Sequence, residues 1–275
     1  MPDDGEHPGD PIGSARLDTE LVRRGLARSR AQATQAVAER RVVVDGVPAT
    51  KPAMRVRADA RVELSGADGY VSRAAHKLVA ALDAFDVRPA DRFALDIGAS
   101  TGGFTQVLLE RGARRVLALD VGHDQLAAPV RSDPRVVVVE GANARDLTAA
   151  AVARWSGEPQ PADLVVADLS FIPLGTVLPA LVASAAPGAD FVLLIKPQFE
   201  VGRGGVREGI VRDGALRRDA VTGVLWAAHD LGLRTAGLVS SPLLGGAGNH
   251  EYLVHFSAMV GSDPSQWGST VSALT

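Results

Sequence analysis

The sequence predicts an α/β protein in two parts: a small N-terminal α+β domain, then a larger doubly wound domain with a sheet of about seven strands. Three observations predict it. From about residue 93 onward, short apolar runs alternate with stretches of helical periodicity, the order of a mainly parallel sheet wrapped by helices. Several runs, such as Phe191-Val192-Leu193-Leu194-Ile195, are apolar without interruption, as strands buried on both faces are. Charge is partitioned too: residues 1–13 sum to −4, residues 14–77 to +6 and residues 78–275 to −5. A basic segment on an acidic body is the footprint of a module that meets a polyanion.

Composition narrows the classes. With 275 residues, 46% hydrophobic and 22% charged, the chain can bury a real core and is neither collagen-like nor wholly disordered. It has no apolar run long enough to span a bilayer, and the acidic, Pro- and Gly-rich start is unlike a secretory signal. No cysteine is present, which excludes disulfides, thiolate zinc sites, iron–sulfur clusters and a Cys nucleophile. A cytoplasmic, monomeric protein without a membrane partner is expected.

Taken in order, residues 1–14 read as a flexible tail. A helix follows from Arg16, with Leu17, Leu21 and Val22 on one face and Gly25 at its end. A second helix starts at Ser29, a residue suited to an N-cap, and runs through Ala33, Ala36 and Val37. Val42-Val43-Val44, Asp45-Gly46 and Val47 spell a tight hairpin, and a strand over 61–64 completes a domain at 15–66. A linker at 67–72 leads into a helix over 71–85 that carries Arg73, His76 and Lys77. Strands are expected at 93–97, 116–120, 136–139, 163–168, 190–195, 235–240 and 251–257, with helices near 103–111, 123–130, 146–154, 174–186 and 215–231. The last two strands are joined by Gly245-Gly246-Ala247-Gly248-Asn249, not a helix, so the final strand is expected to run antiparallel. The larger domain spans 73–260, with residues 261–275 as a C-terminal tail.

The sharpest local feature is Asp96-Ile97-Gly98-Ala99-Ser100-Thr101-Gly102-Gly103-Phe104, a strand that turns on glycines into a helix. Ligands of open α/β sheets bind at such strand ends. The spacing is neither a dinucleotide fingerprint nor a P-loop; it is closer to S-adenosylmethionine sites, where no pyrophosphate needs cradling. Asp120 ends the next strand, where an acid can hold ribose hydroxyls, and Asn143-Ala144 follows the third, where adenine is read. Asp168 ends the fourth strand in Ala167-Asp168-Leu169-Ser170-Phe171. This is not the Asp/Asn-Pro-Pro-aromatic signature of amino-methyltransferases, and cysteine chemistry is absent, which leaves oxygen as the natural methyl acceptor.

Only three of 29 basic residues are lysines, Lys51, Lys77 and Lys196, and Lys196 directly follows an apolar strand. Lysine is rarely buried unpaired. Lys77, Asp168, Lys196 and Glu251 could meet on one rim of the sheet and shift one another's pKa. A lysine there could take a ribose hydroxyl proton or stabilise the developing alkoxide. His76, His123 and His250 have no metal-ligand spacing and read as surface or supporting residues, so no metal is expected. Arg16, Arg28, Arg30, Lys51 and Arg73 are the candidate RNA contacts; no aromatic residue lies between Arg16 and Gly69, so recognition by phosphate and shape fits better than base stacking.

These motifs carry a resemblance. Arg16-Leu17-Asp18, Leu21-Val22-x-x-Gly25-Leu26-Ala27-Arg28-Ser29-Arg30 and Val42-Val43-Val44-Asp45-Gly46 resemble the S4 RNA-binding domain. The remainder resembles the FtsJ-like, Rossmann-like methyltransferases. Together with Val71-Ser72-Arg73-x-x-His76-Lys77-Leu78, the glycine loop through Thr105, Ala167 to Ile172 and Lys196-Pro197-Gln198-Phe199-Glu200, the whole of about 15–257 is similar to the TlyA (haemolysin A) family. The resemblance implies S-adenosylmethionine-dependent 2′-O-methylation of a cytidine in rRNA of ribosomal subunits. It places the Lys-Asp-Lys-Glu tetrad of ribose methyltransferases on Lys77, Asp168, Lys196 and Glu251. It places cofactor positions on Asp96, Gly98, Ala99, Ser100, Thr101, Gly102, Gly103, Phe104, Asp120, Asn143, Ala144 and Asp168. A non-catalytic rRNA-binding or assembly protein, or a membrane-lytic haemolysin, are the alternatives.

Overall fold

The computed structural model describes residues 14–27, 29–38, 41–64, 69–202, 205–206, 208–245 and 248–275; residues 1–13 of the expected tail and the candidate Arg28 lie outside the described residues, and the tail's last residue, Ser14, opens a strand. The chain divides at Gly69/Tyr70 into two units.

In the first unit, β1 (Ser14–Arg16) runs into α1 (Leu17–Arg23). Then come α2 (Arg30–Ala38), β2 (Val42–Val44), β3 (Val47–Pro48), β4 (Arg55–Arg57) and β5 (Val62–Leu64). Strands β3-β2-β5 form one antiparallel sheet, and β1 pairs with β4. The hairpin turn takes positive φ at Asp45 and Gly46, 51° and 81°, the conformation that its Asp-Gly sequence favours. Asp45 Oδ1 accepts the Arg61 N–H at 2.8 Å, which ties the third strand to the turn. Ser29 Oγ accepts the Gln32 N–H at 3.2 Å, as an N-cap should. The β1–β4 pair was not expected. Arg55-Val56-Arg57 offers a single apolar residue, yet Val56 is buried with Leu17, Leu21, Val37 and Val42 in the unit's small core.

The second unit opens with α3 (Ala75–Phe85). It continues β6 (Phe93–Ile97), α4 (Gly103–Glu110), β7 (Arg115–Asp120), α5 (Ala128–Arg131), β8 (Val136–Glu140), α6 (Ala149–Ser156), β9 (Ala162–Ala167), α7 (Leu174–Ser184), β10 (Ala185–Ile195), α8 (Pro197–Glu200), α9 (Gly214–Asp230), β11 (Arg234–Ser240), β12 (Tyr252–Ser257) and α10 (Gly268–Leu274). The seven strands lie in the order β11-β12-β10-β9-β6-β7-β8. The final strand β12 is antiparallel to both neighbours, as expected from the glycine-rich connection before it, and the other pairings are parallel. Strand alternation sorts the core into two layers. Leu95, Ile97, Leu117, Val165 and Leu193 face the layer of α7 and α9. Ala94, Val116, Leu164, Val166 and Val192 face α3 and α4.

Several elements differ from expectation: the helix expected over 174–186 ends at Ser184, the strand expected from 190 begins at Ala185, and α8 was not expected. The helix expected from 71 starts at Ala75, because Ser72 Oγ accepts the Ala74 N–H at 3.1 Å and holds a turn there. The helix expected over 123–130 is the single turn α5; Asp124 sits at φ 55°, outside helical space, and Pro129 stands in the helix's first turn. Residues 261–275 do not form a tail. A 3₁₀ turn (Pro264–Trp267) leads into α10, and Val271 is buried, with Trp267 and Leu274 packed beside it against the α7–α9 layer. That 4-and-3 spacing is one helix face. Among the described residues, no helix is long and apolar enough to cross a membrane.

Candidate active site

From β6 the chain winds one way through β7 to β8, and from β9 the other way through β10, so the sheet reverses direction between β6 and β9. Ligands of such sheets bind beyond the strand ends at that point. A cleft of about 750 Å³ lies there, lined by Gly98, Ser100, Asp120, Asn143, Ala144 and Asp168 among others. Gly98 has φ +84°, and a Cβ on it would stand 2.8 Å from the Asp168 carbonyl oxygen. Only glycine lets the two loops approach so closely. Asp120 is fixed from both sides: Oδ2 accepts the Ser100 N–H and Oδ1 the Gly122 N–H, each at 2.8 Å. Asn143 Oδ1 accepts the Arg145 N–H at 3.1 Å and starts the 3₁₀ turn that forms the far wall.

The rest of the glycine loop supports the cleft from behind. Ala99 and Phe104 are buried in the α3–α4 layer. Gly102, at φ +94°, packs against Leu126 and Val130, and a Cβ on Gly103 would press on Ser72 at 3.0 Å. Thr101 also stands outside the lining. Asp96 is fully buried beneath the loop and does not reach the cleft. Thr105 Oγ1 donates to Asp96 Oδ2 at 2.5 Å, and Oδ1 has no hydrogen-bond partner among the described residues. Burial pushes its carboxyl up to about 7, against the Thr105 hydrogen bond and with the nearby Asp168 and Asp120 charges adding to the rise.

Asp168, which lines the cleft, joins three buried side chains in a line. Glu251, just before β12, accepts from Lys77 Nζ at 2.6 Å. Lys77, on α3, lies 3.7 Å from Asp168 Oδ2. Lys196, at the exit of β10, lies 2.6 Å from Asp168 Oδ1 and donates to Ser170 Oγ at 3.0 Å. Lys77, Lys196 and Glu251 are buried, so each charge meets its opposite where water cannot screen it. The two lysines thus flank one carboxylate, with the second carboxylate behind Lys77.

Several residues beside this line escaped the sequence reading. Ser170, Phe171 and Gln125 line the cleft. Phe171 is 91% exposed with φ +65°, and its ring centroid lies 5.3 Å from that of Phe199. Glu200, on α8, accepts the Leu174 N–H at 2.7 Å and so fastens the loop after Lys196 to the loop after Asp168. Burial raises its pKa. An aromatic residue left in water in a left-handed backbone is a signal only coordinates reveal; Glu200 stood in a recognised motif without a role.

In the first unit, Arg16 and Arg30 both pair with the buried Asp18, at 2.8 Å and 3.0 Å. The same pattern recurs at Glu20, bonded by Arg23 and Arg24. These arginines hold both acids below the usual carboxylate range. Lys51 is exposed, and Arg73, in the second unit, is partly exposed. Among the described residues, no three of His, Asp or Glu are grouped to hold a metal.

Comparison with known proteins agrees with this geometry. Residues 70–258 match the model of the FtsJ-like methyltransferases and residues 15–62 that of the S4 domain. The chain is 53% identical to the 16S/23S rRNA (cytidine-2′-O)-methyltransferase TlyA of Mycobacterium tuberculosis over 87% of its own length and 88% of the relative's. It is 38% identical to hemolysin A of Brachyspira hyodysenteriae, over 88% and 99% of the two chains. A solved structure described as a putative hemolysin from Streptococcus thermophilus superposes with a TM-score of 0.75 at 35% identity, covering 95% of each chain.

Proposed function

The chain belongs to the TlyA family of FtsJ-like methyltransferases with an N-terminal S4 domain, and we propose that it methylates the 2′-oxygen of a cytidine ribose in rRNA of cytoplasmic ribosomal subunits. The single observation that carries this reading is the unbroken line Glu251–Lys77–Asp168–Lys196, which meets the cleft at Asp168.

The cleft fits S-adenosylmethionine. It has the room, a fixed carboxylate at Asp120 for ribose hydroxyls, and at Gly98 a floor that any side chain would fill. Bound there, S-adenosylmethionine supplies an electrophilic methyl group and leaves as the thioether. Lys196 stands beside the attacking 2′-oxygen and takes its proton, or as an ammonium stabilises its developing charge. Asp168 holds Lys196 in place through one oxygen and faces Lys77 through the other. Glu251 pairs with Lys77, so that cation does not compete with Lys196 for Asp168. Phe171, exposed at the rim, offers a face against which a base can stack. Arg16, Arg30, Lys51 and Arg73 meet phosphates; Asp18 sets the spacing of the first two.

Transfer of labelled methyl from S-adenosylmethionine to ribosomal subunits lacking the modification, followed by nucleoside mapping, tests the reading. Label in a 2′-O-methylcytidine is expected, and Lys196→Ala should abolish it while cofactor binding survives. A Lys196→Ala protein that still transfers methyl, or one that is inactive because it no longer holds the cofactor, refutes the assignment. Bound cofactor and bound rRNA with no label would make the protein a non-catalytic binder.

A further inference from the structure

We propose that Ser170 is a positioning residue for Lys196, and that its hydroxyl is the way out for the proton that methyl transfer releases. The inference rests on the first of the two roles given to Lys196 above, in which the amine takes the proton. Among the described residues, Lys196 Nζ has two polar partners, Asp168 Oδ1 at 2.6 Å and Ser170 Oγ at 3.0 Å. An ammonium has three N–H groups. With a carboxylate alone, the nitrogen at the end of a four-carbon stem could swing around its partner. An ion pair to Asp168 and a hydrogen bond to Ser170, two residues apart on one loop, hold the nitrogen from two sides and restrict where its remaining N–H groups, or the lone pair of the neutral amine, can point.

Exposure separates the two anchors' roles. Lys196 is buried, and so is the Asp168 oxygen that it meets, although Asp168 also lines the cleft. Ser170 is exposed and lines the cleft. Its hydroxyl therefore joins the buried amine to water. The reaction balances through it. The 2′-oxygen forms a bond to the methyl carbon as the carbon–sulfur bond breaks and its electron pair stays on sulfur. The electrons of the ribose O–H bond stay on oxygen, and the proton passes to the neutral Lys196 amine. The resulting ammonium gives a proton to Ser170 Oγ as Ser170 gives its own to water. Serine and amine are restored, and one proton reaches solvent.

The test compares wild type, Ser170→Ala and Ser170→Thr as full-length proteins, with S-adenosylmethionine and ribosomal subunits lacking the modification. Ser170→Ala should lose about tenfold to a hundredfold in kcat, with both KM values within about threefold, since the serine is needed only while the proton moves. Ser170→Thr, which keeps the hydroxyl, should restore most of that loss. In mixtures of light and heavy water, the wild-type rate should curve with deuterium fraction, as two protons in flight require, and the Ser170→Ala rate should fall on a line. A wild-type kcat in Ser170→Ala, a loss confined to KM, or proton inventories of the same shape would overturn the proposal. Those results leave the methyltransferase reading standing. That reading fails separately, if wild type transfers no methyl, and an active Lys196→Ala removes the role of Lys196 and this proposal with it.

Discussion

Replacing Asp96 by asparagine isolates one buried charge in the fold. Asparagine keeps the size of the side chain and an oxygen that accepts the Thr105 hydroxyl, but it cannot ionise. The wild-type carboxyl is fully buried, and its pKa rises from 3.8 to about 7. A raised folded pKa means that the folded state binds the proton more tightly than the unfolded chain. Its contribution to stability is full below the unfolded value and is lost as pH rises through the folded one. Three pKa units correspond to ~4 kcal/mol in all. Part of this is gone by about pH 5, which leaves roughly 2–3 kcal/mol to be lost between about pH 5 and 8. The Asp96→Asn variant loses none of it. All three tryptophans, Trp155, Trp226 and Trp267, lie in the larger unit, so their fluorescence in urea follows the unfolding of the domain that holds Asp96. Subtracting the two proteins' unfolding free energies at each pH cancels the other titrating groups. The difference should grow in favour of the variant by roughly 2–3 kcal/mol across that range. A difference that stays constant within about 0.5 kcal/mol would show that Asp96 ionises at little cost, and the account of its burial would fall.

Two further outcomes follow from the same geometry. Gly98→Ala places a Cβ 2.8 Å from the Asp168 carbonyl at a φ that disfavours side chains, so it should destabilise the larger unit by about 1–3 kcal/mol and displace Asp168. Titration calorimetry should show weakened S-adenosylmethionine binding, and methyl transfer should fall more than tenfold; unaltered binding would mean that the loops have room to part. Asp18→Asn removes the carboxylate shared by Arg16 and Arg30, so affinity for rRNA should fall severalfold, despite the gain in net positive charge. Asp18 titrates below the usual range, so its stabilisation is present above the unfolded pKa and lost as pH falls through the folded one. Hydrogen exchange of α1 should show that acid loss in wild type and not in the variant, whereas tighter rRNA binding by the variant would mean that charge outweighs arrangement.

The sheet was legible because its central strands are buried on both faces, and burial leaves short uninterrupted apolar runs bounded by turns. The strand expected at 93–97 is β6 itself, and the antiparallel last strand followed from a connection too short to cross over. The tetrad was legible for a related reason. In a chain so rich in arginine, a lysine ending an apolar strand is conspicuous, and Lys196 does lie against Asp168. What stayed hidden depends on backbone pairing and local conformation. Strand β4 is held largely by backbone hydrogen bonds to β1, which Arg55-Val56-Arg57 does not announce. The 3₁₀ turn and α10 together place Trp267, Val271 and Leu274 over eight positions among mostly small or polar residues, too sparse a pattern without α9 and β11 to receive it. Asp96 and Ser170 divide the same way. Both stand near the ends of central strands; the family resemblance places a cofactor position on Asp96 and gives Ser170 no role. Burial separates them: the acid lies beneath the loop, and the serine is exposed and accepts from Lys196. A strand end tells which residues reach the rim of the sheet, while the turn that follows decides which of them face the ligand.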